Sequence, residues 1–250
     1  MLLLKYLGVI VFLISSMGFA KTQSQPPTST INKKSEVPPD KLPVYQIGSG
    51  ATYNLALSSG NSDVTIGFVE QTAQKLVVEI AMKSSGENDG LNATMLQQFQ
   101  LGLVGGKIQI LKGIMKIPMI EKPQILPAEY LEGFSGVQVK SFLIGSSKDI
   151  DGKKVGEEAI SAGGKTYQTT HYRHVENGQT IDYWISDAAK PMGLIKIESS
   201  GSSQSQNYKM TLKNSVSGVT TQINERDAEP LNDTAKTFLP MLLPGLSNHL

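Results

Sequence analysis

The chain has 250 residues, a formal net charge of +1 and no cysteine. Lys and Arg are scattered without a basic stripe, so the charge pattern excludes a field that would attract nucleic acid. The lack of cysteine excludes a disulfide framework, a thiolate metal site and a lipid-modified cysteine anchor. A chain without disulfides must be held together by its core, and a domain of this size can bury one.

Residues 1–20 have the three parts of a signal peptide. Lys5 supplies the positive charge, residues 6–14 are apolar, and small residues stand at Gly18 and Ala20. We expect cleavage after Ala20, export to the periplasm, and no membrane-spanning segment in the mature chain; outer-membrane association and secretion remain open. An uncleaved anchor is the alternative, but the apolar run is shorter than the ~20 residues that a spanning helix needs.

Residues 21–41 are predicted to form a disordered polar linker. This segment is rich in Gln, Ser, Thr, Pro and Lys and has almost no apolar residues, so it cannot offset the entropy of its own ordering. It is either a spacer from a membrane or partner, or an ordinary mature N-terminus.

Residues 42–228 are predicted to form one mainly β domain of roughly ten strands. Apolar and polar residues alternate with period 2, as in the segments around Tyr53, Val64 and Leu76. The Gly105–Gly106 pair predicts a hairpin turn, although a helix beginning at Asn92 is an alternative reading there. Gly113 interrupts the alternation and predicts a β-bulge.

A β-hairpin is predicted around Asn177–Gly178, because both central residues of a type I′ turn need positive φ. The two-residue loop sets one register, in which Arg173 faces Asp182, His171 faces Trp184, and Tyr172 faces Tyr183. Pairs of this kind contribute roughly 0.2–1 kcal/mol each. We expect the face that carries the two tyrosines to meet the core.

Motifs for catalysis, metal binding and cofactors are weak in this chain. Residues 159–166 fit a loose phosphate-loop expression, but the residues that follow are typical of a strand, whereas the phosphate loop needs a helix. His171 and His174 lie three apart on a predicted strand, so they face opposite sides and cannot share one ion. We therefore predict a protein that is not an enzyme and has no catalytic residue, metal or cofactor.

Residues 229–250 are predicted to form a short helix and an apolar tail. Asn232 or Asp233 caps the helix, and the residues from Phe238 to Leu246 are mostly apolar with two prolines. The tail either packs across an edge of the sheet or is an exposed contact for a membrane or an envelope protein.

Four segments resemble a pattern of a known superfamily: Ala162–Tyr167, His171–Tyr172, Asp182–Ser186 and Pro191–Lys196. A Gly-rich turn opens a strand with a His, a Trp-Ile-Ser strand follows, and a Pro-containing turn leads to a strand ending in Lys. This pattern is similar to that of uncharacterised bacterial periplasmic proteins related to the outer-membrane lipoprotein-carrier (LolA-like) superfamily.

The resemblance implies a strongly curved antiparallel half-barrel with one or two short helices and an apolar concave surface that holds acyl chains or other lipids. It implies no catalytic residues, and the carrier's arginine-based release mechanism has no match here. The candidate lining residues are Leu76, Val78, Ile80, Phe99, Leu101, Tyr172, Tyr183 and Ile195. The expected function is a non-enzymatic exported protein that binds a lipid or other hydrophobic small molecule. The alternative is a structural or interaction module of the cell envelope.

Overall fold

The computed structural model describes residues 41–58, 60–84, 94–118, 120–128, 131, 152–176, 178–201 and 207–236. The predicted signal peptide, nearly all of the predicted linker, and the apolar tail from Phe238 to Leu246 lie outside these residues. So do Asn177 of the predicted hairpin turn and a strand that the alternation indicates at residues 137–144. These assignments stay predictions.

In the part of the chain that the structure describes, twelve β-strands form one open, curled sheet that is mostly antiparallel. Their bounds are β1 Ser49–Leu57, β2 Gly60–Gln71, β3 Lys75–Ser84, β4 Thr94–Val104, β5 Lys107–Lys116, β6 Gln124–Ile125, β7 Lys153–Ala162, β8 Lys165–Glu176, β9 Gln179–Ile185, β10 Leu194–Ser200, β11 Tyr208–Ser217 and β12 Glu229–Pro230. β6 and β12 have two residues each and form the parallel pair. The other ten match the roughly ten strands that the sequence predicts.

The order of strands across the sheet is β12-β6-β5-β4-β3-β2-β1-β11-β10-β9-β8-β7. Strands β1–β6 and β7–β11 each follow one another in both sequence and sheet, and the pairing of β1 with β11 joins these two runs. β12 adds to the outer side of β6. β7 and β12 are therefore the edges. The described helical elements are short, and the 3-10 turn Glu225–Asp227 is one of them.

The predicted hairpin register is the one observed. β8 and β9 pair His171 with Trp184, Tyr172 with Tyr183, and Arg173 with Asp182. The Gly163–Gly164 pair forms the preceding turn with φ of +55° and +72°. Because strand β8 follows this turn directly, no helix N-terminus is present to hold a phosphate there.

The segment from Thr94 to Lys116 forms two strands, so the alternative of a helix beginning at Asn92 is wrong. The predicted β-bulge exists, but it lies at Leu111 and not at Gly113. Gln100 pairs with Lys112 and Leu101 pairs with Ile110, which leaves Leu111 as the extra residue.

Gly113 pairs regularly and serves a different purpose. A Cβ atom at this position would lie 2.7 Å from a methyl carbon of Leu131 and 3.1 Å from one of Leu126. The glycine therefore makes room for the two leucines to approach the sheet.

The main core lies on the face of the sheet that carries Leu55, Phe99 and Tyr183, which we call the inner face. Strand alternation places every second residue of the long strands there. The opposite, outer face is mostly polar, but Leu96 and Ile114 form a small second cluster with Ile223. The chain after β11 therefore crosses the outer face and covers part of it.

Candidate functional site

All eight predicted lining residues belong to or pack against the inner-face core. Six of them are buried, with accessible fractions between 0 and 5%: Leu76, Val78, Phe99, Leu101, Tyr183 and Ile195. Ile80 and Tyr172 are half-buried and pack against the same cluster. The inner face is thus a continuous apolar surface, and its remaining accessible area includes these two side chains.

Segments outside the long strands cover parts of the inner face. The ring of Tyr45 stacks on that of Phe68 with centroids 3.8 Å apart. The Gln71 side chain holds this N-terminal segment, because its Nε2 donates to the carbonyl of Pro43 at 2.7 Å. At the other side, Leu126 and Leu131 approach β5 at Gly113.

Gln97 is a polar side chain inside this apolar surface. It lies on β4 between Met95 and Phe99 in the inward alternation and is 3% exposed. Its Oε1 atom has no hydrogen-bond partner among the described residues. Most buried polar side-chain atoms in folded proteins have a partner, so an unpaired one needs an explanation.

The neighbours of Gln97 are apolar and adaptable. Ile80 on β3 and Met115 on β5 stand directly opposite it. Met82 pairs with Met95 one step along the same strands. Methionine side chains are unbranched and adjust to irregular shapes, so this region can repack around an inserted group.

Gln179 on β9 is another buried amide with an unpaired oxygen. Its Nε2 donates to Ser199 Oγ at 2.7 Å, while its Oε1 has no partner among the described residues. Tyr53 and Tyr208 are among the tyrosines buried in the core. Burial raises the pKa of Tyr53 and of Tyr208 well above the ordinary value, so both stay neutral at physiological pH.

A cluster of charged and aromatic side chains lies on the outer face of β7–β10. His171 stacks on Trp184 at 4.4 Å between ring centroids, and its Nε2 lies 2.6 Å from Asp182 Oδ1. Arg173 donates to both oxygens of Asp182, at 2.8 and 3.1 Å. Trp184 Nε1 donates to Glu158 Oε1 at 2.5 Å, which ties the edge strand β7 to β9.

These ion pairs control the charge of the cluster. Burial by itself would raise the pKa of Asp182, but hydrogen bonds from Arg173 and His171 hold it below its ordinary value. Lys196 continues the cluster, with its Nζ 4.0 Å from the Trp184 ring centroid. Every charge named here faces an opposite charge or a ring, so the cluster stabilises the sheet rather than presenting a reactive group.

Glu79 holds the chain that crosses the outer face. Its carboxylate is 3% exposed and accepts hydrogen bonds from Thr221 Oγ1 at 2.9 Å and from the backbone N–H of Gln222 at 3.0 Å. The backbone N–H of Ile223 donates to it at 3.3 Å. Beside this anchor, a groove of about 430 Å³ lies between the crossing chain and the outer face of the sheet.

Sequence reasoning missed both Glu79 and Gln97. Each lies in a mainly apolar segment, LVVEIAM for Glu79 and MLQQFQLGL, which has two further glutamines, for Gln97. A charged or amide residue in such a run signals a buried polar group, but the run does not identify its partner.

The described residues contain no group of three or more His, Cys, Asp and Glu side chains arranged to hold a metal ion. Within the same residues, no helix is long and apolar enough to cross a membrane.

No family model matches the sequence, and no curated protein matches it. Solved structures with a similar fold include MucB in complex with MucA(peri), at 11% identity and a TM-score of 0.36 over 72% of this chain and 53% of that one. The chain thus spans about half the length of MucB. A hypothetical protein from Chlamydia trachomatis has 10% identity and a TM-score of 0.42, over 71% of this chain and 91% of that one.

A Vibrio parahaemolyticus domain named for outer-membrane lipoprotein sorting has 9% identity and a TM-score of 0.32, over 72% of this chain and 88% of that one. The similar structures thus include a domain named for lipoprotein sorting.

Proposed function

We propose that this chain is an exported, non-enzymatic binding protein that holds a lipid-like or other hydrophobic ligand against its inner face. The observation that carries the proposal is the continuous apolar surface formed by the inward side chains of the curled sheet. Ligand sites for hydrophobic molecules are concave and mainly apolar, with few polar groups. The signal-peptide pattern of residues 1–20 supports export.

Six of the eight lining residues are at most 5% exposed, so a ligand enters from a half-buried part of the inner face. Ile80 and Tyr172 are among the half-buried residues that offer the ligand an entry. The three methionines Met82, Met95 and Met115 lie close to Ile80 in the strand register and can move to admit it.

Native mass spectrometry tests the proposal. The mature protein, beginning at Lys21, is purified from a bacterial periplasm, and its native mass is compared with its denatured mass. We expect an additional discrete mass that organic extraction removes. A clean apo mass, with no uptake of added lipid, would contradict the proposal.

A matched pair of variants locates the ligand. Ile80→Asp places a carboxylate on the apolar inner face and should abolish the additional mass, since an unpaired charge is costly to bury. Val175→Asp changes a side chain that is 64% exposed and should leave the ligand bound. Ile80→Thr repeats the test with a smaller change, and circular dichroism confirms that each variant is folded.

An interaction module of the envelope is the second candidate. The edge strand β7 favours it, since β7 pairs with β8 alone in the sheet order and Val155 on it is 51% exposed. The apolar tail from Phe238 to Leu246 is the other candidate contact. Pull-down from an envelope extract, with the full chain and with a chain that lacks this tail as bait, tests the tail as a contact. Recovery of the same proteins by both baits would count against the tail.

A further inference from the structure

We infer that Gln97 is the polar anchor of the ligand site, and that the ligand is an uncharged amphiphile with a hydroxyl group at its polar end. This inference rests on the proposed function and names the ligand class for the same inner face. It begins from the unpaired Oε1 atom of a side chain that is 3% exposed.

The position of Gln97 matches that of an anchor. Ile80, one of the two half-buried lining residues, stands directly opposite it across the β3–β4 pair. One accessible part of the inner face therefore adjoins the amide. A group that reaches Ile80 from solvent needs little further movement to meet the Gln97 side chain.

The chemistry of the amide determines which group it takes. Oε1 accepts a hydrogen bond and Nε2 donates one, so a hydroxyl, which does both, complements the side chain in either orientation. An ester oxygen accepts but does not donate, and it would leave Oε1 unpaired. Because Oε1 is unpaired without a ligand, a hydroxyl gains one net hydrogen bond that the ester oxygen cannot make.

The charge of the surroundings excludes an ionised head group. Among the described residues, the inward positions of β2–β5 carry no charged side chain. A carboxylate or phosphate placed there would lose its hydration without gaining a counter-charge. The charged side chains of these strands, such as Lys112, lie on the outer face.

The inward position of Gln97 is established by its neighbours on the strand. Gln98 points to the outer face, where its Nε2 donates to Thr221 Oγ1 at 2.9 Å. Gln100 lines the groove on that same face. One strand thus carries glutamines on both faces, which supplies a matched control.

Three probes with one acyl chain test the inference on the full mature protein after lipid extraction. These are a saturated monoacylglycerol, the methyl ester of the same fatty acid, and its sodium salt, titrated calorimetrically at neutral pH below their aggregation limits. We expect the monoacylglycerol to bind about fivefold more tightly than the methyl ester, as one net hydrogen bond predicts. The fatty-acid anion should bind most weakly.

Gln97→Met keeps the length of the side chain and removes its polar atoms. It should abolish the preference for the monoacylglycerol while retaining binding of the methyl ester, whereas Gln100→Met on the outer face should keep the preference. Thermal unfolding confirms folding of both variants, and Gln97→Leu replaces Gln97→Met if the latter does not fold.

The two proposals fail in different ways. If the probes bind equally, if the anion binds best, or if Gln97→Met retains the preference, then the anchor is refuted and the hydrophobic site stands. If no probe binds to wild-type protein, both proposals are overturned.

Discussion

Glu79 anchors a chain segment far from it in sequence, and its removal should destabilise the protein. Three donors converge on the carboxylate: Thr221 Oγ1 at 2.9 Å, Gln222 N at 3.0 Å and Ile223 N at 3.3 Å. Gln98 Nε2 adds a longer contact at 3.4 Å. Glu79→Ala removes the acceptor of the Gln222 and Ile223 N–H groups, whereas Thr221 Oγ1 can still donate to the Ile223 carbonyl and Gln98 Nε2 to Thr221 Oγ1.

The magnitude follows from the burial of the site. Hydrogen bonds to a charged group contribute about 1.5–3 kcal/mol each, but water replaces part of what the exposed Thr221 and Gln222 lose. Counting the buried Ile223 N–H fully and the other two in part, we expect Glu79→Ala to lower the free energy of unfolding by about 3 kcal/mol. Glu79→Gln keeps an acceptor oxygen and should cost about half as much.

Urea unfolding of the mature protein measures these differences. Glu70→Gln is the control, because its carboxylate is 52% exposed and pairs with Lys75 on the surface. Such a pair contributes about 0–1 kcal/mol. Hydrogen exchange adds a local measurement, in which the amides of Gln222 and Ile223 should lose protection in Glu79→Ala. Surface substitutions change the free energy of unfolding by up to about 0.5 kcal/mol. If Glu79→Ala lies within that range of wild type and the protection of these two amides is unchanged, the anchoring role is refuted.

Two further predictions concern the β7–β9 region. The pKa of Asp182 in the folded protein lies below its ordinary value of 3.8, because the carboxylate is ion-paired. The ion pair therefore stabilises the fold fully above pH 3.8, and this stabilisation is lost as the pH falls through the pKa of the folded state. The difference in unfolding free energy between wild type and Asp182→Asn should therefore shrink between neutral pH and acid, and a constant difference would contradict the ion pairing. Gly163→Ala should destabilise more than Gly164→Ala, although both glycines have positive φ, because a Cβ at Gly163 would lie 2.5 Å from the Lys213 carbonyl oxygen and one at Gly164 meets nothing within 4 Å. Equal melting temperatures for these two variants would show that a Cβ atom at position 163 does not clash with β11.

Local signals in the sequence predicted the β8–β9 hairpin to the residue. A type I′ turn needs two residues with positive φ, and only one short stretch between the two strands offers them. Once the loop has two residues, every cross-strand pair follows by counting, including Arg173 with Asp182 and His171 with Trp184. In the structure the rings of His171 and Trp184, which the register sets opposite each other, stack with their centroids 4.4 Å apart.

The inner-face residues were predicted in part. Alternation separates inward from outward positions on a strand, so Leu76, Val78 and Phe99 are placed on the core side by sequence alone. Alternation does not say how deeply a residue is buried. The difference between the fully buried Val78 and the half-buried Ile80 depends on which other segments cover them.

The sequence by itself determined the strands, the turns and the apolar side of the sheet, because each of these depends on residues close together in the chain. The tertiary structure alone decided the pairing of β1 with β11, the capture of residues 221–223 by Glu79, and the enclosure of Gln97 among methionines. These contacts join residues that are far apart in sequence or lie on separate strands. Their formation depends on the packing of the whole curled sheet, and no local pattern encodes it.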